Sequence, residues 1–237
     1  ENWRKYLNEV SGRGLENYTT LISREVVNAL KDESVKSHFN KNGSAEFQMS
    51  IDDVLQNLEW VRSIFINLTR GDHIYADAKY EFDLDATDEQ RKTSDIILNI
   101  GLPSQYDNSV FFQLIPELKD ALRHELEHSS QPTDMLMNVQ KEIPEGNVWK
   151  SIESAETYYT SEAEVKAHVA GIYKKIKMSK EPAGEVMDDF LVQIWQTGMA
   201  NGHSEQELEP LMGEIRELWR HYMASRYPHA ELDWGEE

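Results

Sequence analysis

The sequence predicts an α+β fold, mostly helical, with a small sheet ahead of its most informative helix. Three observations carry this. Between Ile74 and Asp85 apolar and polar residues alternate, the period of a strand with one buried and one wet face. After a polar turn, the apolar run Asp95-Ile96-Ile97-Leu98-Asn99-Ile100 reads as a shorter, more buried strand ended by Gly101-Leu102-Pro103. On both sides of these strands, long stretches repeat their apolar residues every three or four positions, as amphipathic helices do. At 237 residues and 39% hydrophobic content the chain can bury the core such a domain needs.

Taken in order, residues 1–13 read as an appendage. Trp3, Tyr6, Leu7 and Val10 recur at helical spacing before Ser11-Gly12-Arg13-Gly14 breaks the pattern. This is either a short helix docked on its own domain or a contact for a partner. One domain is expected over 14–228, followed by a loose polar tail at 229–237. A helix with an interrupted stripe (Leu21, Ile22, Val26, Leu30, Val35) is expected from Leu15 to Phe39, then a loop over Asn40 to Ser44. A second helix is expected near Ile51 to Leu68, with Leu55, Leu58, Val61, Ile64, Phe65 and Leu68 on one side and Ser50 or Asp52 as its cap.

The strands lead into a helix between Pro116, suited to a first turn, and Pro132, which cannot continue one. Leu114, Ile115, Leu118, Ala121, Leu122 and Leu126 form its apolar stripe, with Lys119, Arg123 and Glu127 opposite. Residues 132–160 look irregular, broken by Pro132, Pro144 and Gly146, and read as a cleft wall, a lid or plain connection. Regular helix returns at Ser161, with Val165, Val169, Ile172 and Ile176 buried and Glu164, Ala167, His168 and Gly171 on the adjacent face. Two more helices are expected near 184–197 and 204–226. The last opens with Ser204 and Glu207 at capping-box spacing.

Composition narrows the partners. A net charge of −19 argues against nucleic acid and anionic membrane surfaces, which are themselves negative. With no cysteine, disulfides and thiolate ligands are excluded, so a bound metal must use imidazole and carboxylate. No apolar run reaches the length of a membrane span and no signal-peptide core opens the chain, so a cytoplasmic location is expected. The chain opens with Glu1 rather than Met, which leaves room for an upstream piece.

The chemistry concentrates in His124-Glu125-Leu126-Glu127-His128, an H-E-x-x-H pattern. At roughly 100° per residue, His124 and His128 fall on nearly the same side of a helix, one turn apart. Two imidazoles in that relation can hold one zinc ion, with Glu125 beside them to take a proton from water. Glu125 points into the apolar stripe, an expensive place for a carboxylate unless something there needs it. The alternative is a surface helix carrying two ordinary histidines.

On this signature the chain resembles the zincin metallopeptidases. Its stretch Glu162-Ala163-Glu164-Val165-Lys166-Ala167-His168 is similar to the second motif of the gluzincin type, Glu-x-x-Ala, and the likeness covers roughly residues 94–178. The chain also resembles small metallopeptidases encoded by phages. The resemblance implies Glu164 as third ligand and Ala167 as a close-packing residue, with one zinc per chain. It also implies that the strand before the metal helix borders the substrate cleft and can pair with an extended peptide. No His lies between Ser129 and Val139, which argues against the metzincin extension. Two other readings compete for Glu164: a capping box with Ser161, and replacement as ligand by His168 or Glu162. For the oxyanion donor, Tyr159 is chosen over Tyr158 and His168. The function expected is a zinc-dependent endopeptidase acting on a protein or peptide, with Glu125 as general base. The alternatives are a non-enzymatic interaction or structural protein on a zincin scaffold and, more weakly, a hydrolase of other substrates.

Overall fold

A computed structural model describes residues 2–50, 61–81, 94–143, 148–228 and 234, with side chains left out for 2–13, 50 and 140–142. The fold is α+β and predominantly helical, with one small mixed sheet. The chain divides into two compact units, residues 1–130 and 131–237. No described helix is long and apolar enough to cross a membrane.

In the first unit, helix α1 (Asn2–Lys31) runs through Ser11-Gly12-Arg13-Gly14 without a break. Gly and Ser are weak helix formers, and here the rest of a thirty-residue helix outweighs two glycines. The side chains behind the partner expectation at Trp3, Tyr6, Leu7 and Val10 lie outside the described residues. Asp32 ends the helix and caps the next, α2 (Glu33–Asn42), by accepting the Ser34 N–H at 2.8 Å. At the end of α2, Gly43 takes the left-handed conformation at φ 77° and returns its N–H to the Phe39 carbonyl.

Strand β1 (Ser44–Ser50) follows at once, so the loop expected over Asn40 to Ser44 shrinks to Gly43 between the end of α2 and the start of β1. Strand β2 (Ser63–Arg70) replaces the expected end of a helix over 51–68, and residues 51–60 lie outside the described ones. The mistake has a clear origin. Ile64 and Leu68 are four apart, which suits a helical face and one face of a strand equally. Ile66 decides it, buried beside them while Phe65 turns outward. Strands β3 (Tyr75–Glu81) and β4 (Asp95–Leu102) confirm the two predicted strands, with Phe82 to Asp85 outside the description.

The sheet order is β1-β2-β4-β3, with β2 and β4 parallel and the outer pairs antiparallel. Strand β4 is therefore central, hydrogen-bonded on both sides. Its edge cannot accept a peptide, as the resemblance had implied; the strand with an outer edge on that side is β3. At Gly101 the Tyr75 ring lies so close that a Cβ would sit 2.1 Å from it, so the half-exposed ring covers the strand there because glycine leaves room for it.

Helix α3 (Val110–Ser130) packs against β3 and α1. Its buried Leu114, Leu118, Leu122 and Leu126 meet a core that includes Ile22, Val26 and Leu30 of α1 and Ile66, Leu98 and Ile100 of the sheet. Each such side chain contributes roughly 1.5–3 kcal/mol by leaving water. Two expectations for α3 need correction. Pro116 lies inside the helix rather than in its first turn. It removes the N–H that would pair with the Phe112 carbonyl, and Phe112 is 84% exposed, so water can serve that carbonyl. Arg123 is 2% exposed rather than solvated, donating to Glu127 at 2.7 Å with Glu16 of α1 3.9 Å from its Nε.

The second unit is all helical among its described residues. The stretch expected to be irregular forms α4 (Thr133–Glu142), a 3-10 turn (Val148–Lys150) and α5 (Ile152–Thr160), with 144–147 undescribed. Then come α6 (Glu162–Ser179), α7 (Ala183–Ala200) and α8 (Glu205–Arg226). Pro210 and Gly213 do not interrupt α8, and both lie on its exposed side. Trp219 is the largest buried side chain, in a core with Val169, Ile172, Val186 and Ile215. Of the tail, Trp234 is described and is not loose. It packs on this core, its backbone lying against Gly184, where a Cβ would stand 2.4 Å from the Trp234 carbonyl oxygen.

Candidate metal centre

The first unit supplies the histidine pair. One turn of α3 brings the rings of His124 and His128 to 4.7 Å between centroids, with their Nε2 atoms 3.0 Å apart. Two such nitrogens share either a proton or a cation, because two lone pairs facing each other at that distance repel. Zinc bonds of about 2.0–2.1 Å at the tetrahedral angle place two nitrogens about 3.3 Å apart, so the pair fits an ion after opening by a few tenths of an ångström. His128 is buried and His124 nearly so.

Glu125 points inward as expected and is 7% exposed. Its Oε2 accepts the backbone N–H of Tyr80 in β3 at 2.7 Å, while Oε1 lies 3.8 Å from His124 Nε2. One oxygen is thus tied to the sheet and the other faces the histidine pair. The sequence offered no sign of Tyr80, because its contribution is a backbone group that every residue but proline carries.

In the second unit, Ser161 caps α6 by accepting the Glu164 N–H at 3.3 Å. The reciprocal half of a capping box is not what Glu164 serves, since the Ser161 N–H goes to the Tyr158 carbonyl. The Glu164 side chain is instead buried, with Oε2 3.7 Å from His168 Nε2 one turn along. His168 lies flat against Trp219, ring centroids 4.7 Å apart and planes within 22°, which fixes its orientation. Trp219 is held in turn by its Nε1–H to the Tyr159 carbonyl at 3.1 Å. The carboxylate and imidazole of α6 are both metal-ligand types with donor atoms close enough to share an ion. Glu162 is not comparable, being turned to the surface and paired with Lys166.

No family model, curated protein or solved structure matches this chain.

Tyr159 sits among Trp149, His168 and Trp219, and Tyr158 meets its ring edge-on at 5.0 Å. Burial, and then the nearby Glu164 charge, push its hydroxyl up to about 12. Tyr159 therefore stays a protonated donor across the neutral range. The two small residues expected on that face of α6, Ala167 and Gly171, are buried, and so are Ala163 and Ala170. Gln131 donates to the Ala163 carbonyl at 3.0 Å, tying the start of the second unit to that face.

Proposed function

We propose that the protein is a zinc-dependent endopeptidase. The observation that carries the reading is the α3 pair, His124 and His128 with Nε2 atoms 3.0 Å apart and a buried glutamate between them in sequence. His124 and His128 hold the ion, and Glu164 is the third ligand on its Glu-x-x-Ala context and buried carboxylate. The ion, when bound, supplies Lewis-acid chemistry: it polarises a carbonyl and makes water more acidic. Glu125 takes the water's proton on Oε1 and delivers it to the leaving amine. Tyr159, neutral at working pH, donates to the developing oxyanion. The substrate is a protein or peptide, and a cysteine-free chain suits a cytoplasmic setting.

A second reading, a non-catalytic protein with a structural metal, is favoured by one contact: Glu125 is already bonded into the sheet. Glu125→Gln separates the two. In the peptidase it keeps zinc and fold and loses hydrolysis by several orders of magnitude, because amide cannot act as base. The test is a cleavage profile on a proteome-derived peptide library, wild type against variant, with zinc content measured alongside. Equal cleavage by both proteins overturns the mechanism. No cleavage by zinc-loaded wild type leaves the structural reading.

A further inference from the structure

We propose that the backbone N–H of Tyr80 is the positioning group for Glu125, and this inference rests on the peptidase reading. A free glutamate side chain turns about three bonds, so a base that must meet one water in one place needs an anchor. An N–H in a strand is a better anchor than a side chain, since it has no rotamers of its own. Tyr80 meets that need from two directions. Its ring is buried, which holds the residue in place, and it pairs with Ile96 in the β3–β4 ladder.

Antiparallel geometry then decides where its N–H points. Along β3, successive residues direct their N–H and C=O groups alternately toward β4 and toward the outer edge. Tyr80 is an outward residue, and its N–H reaches the Glu125 carboxylate at 2.7 Å, the length of a charge-assisted bond. Ala78, two residues earlier, is outward too, with the Asp77 carboxylate near its N–H. Held at Oε2, Glu125 presents Oε1 on the side of His124, 3.8 Å from Nε2. One oxygen fixes the group, and in the peptidase reading the other, on the histidine side, takes the proton. The same contact closes the Tyr80 position of this edge to an incoming peptide strand.

The test replaces the Lys79–Tyr80 amide by an ester, using the α-hydroxy counterpart of tyrosine, so that only the N–H is lost. An ester at the Asp77–Ala78 bond is the control, because it removes the neighbouring outward N–H. With zinc bound, the Tyr80 ester should lower kcat about 10–100-fold with KM and zinc affinity nearly unchanged, as loss of a supporting contact does. The Ala78 ester should keep kcat. Equal kcat in the two esters, or a change confined to KM, overturns the proposal. Amide exchange gives a readout that needs no activity. Exchange at Tyr80 should speed up about tenfold or more in Glu125→Ala and stay slow in Glu125→Gln, whose amide oxygen still accepts. Wild-type exchange in Glu125→Ala sinks the inference, whatever the protein cleaves. A wild type that cleaves nothing while exchange behaves as stated removes the peptidase and leaves the anchor standing.

Discussion

Two helices of the second unit start with the same four-residue spacing, Ser-x-x-Glu, and use it for opposite ends. At Ser204, Glu207 turns back and accepts both the hydroxyl, at 2.7 Å, and the backbone N–H, at 2.9 Å. It is exposed, and those hydrogen bonds, the hydroxyl first, hold its carboxyl below the ordinary range. At Ser161 the serine does its part, but the backbone N–H goes to Tyr158 and Glu164 is carried inside, 6% exposed and facing His168. One glutamate stabilises a helix end. The other sits where an ionised carboxylate is costly without a cation or a strong partner. An identical local pattern thus separates into an exposed capping glutamate and a buried one by what surrounds it.

The strongest way to break that contrast is Glu164→Gln beside Glu207→Gln. The first should weaken zinc binding by roughly two orders of magnitude or more, because a neutral amide is a poor ligand. The second should leave affinity unchanged. Competition with a chelator measures both, and equal affinities would remove Glu164 from the ligand set and point to His168 or Glu162. A smaller effect separates the serines. In metal-free protein Ser204→Ala should cost about 1 kcal/mol and Ser161→Ala about half that, since only Ser204 takes part in a two-sided box. Denaturant titration reads the difference, and a larger loss at Ser161 would contradict the assignment.

The smallest effect is in pH. Glu207 has a folded pKa below its unfolded one, so the stability it brings is present above the unfolded value and is lost as pH falls through the folded one. The difference between wild type and Glu207→Gln should therefore be visible at pH 7, begin to shrink below the unfolded value of about 4.3 and vanish once pH has fallen through the folded one. Thermal unfolding across that range checks it, and a constant difference would mean that the carboxylate is not what holds the cap.

What the sequence determined by itself is whatever near neighbours encode. The alternation from Ile74 to Asp85, the run at 95–100, the stop at Pro132, the helix start at Ser161 and the turn joining His124 to His128 are all written in spacings of two to four residues. So was the inward aim of Glu125. Tertiary structure decided the rest, wherever local spacing suits two answers. Residues 63–70 became a strand because β1 and β4 pair with them, and β4 became central because β3 closes its other side. Arg123 went inside because Glu127 and Glu16 await it there, the latter from a helix a hundred residues earlier in the chain. The anchor of Glu125 is a backbone N–H forty-five residues away, invisible to any pattern of side chains. Periodicity reports which face a residue is on, whereas its partner is chosen by chain segments that only folding brings near.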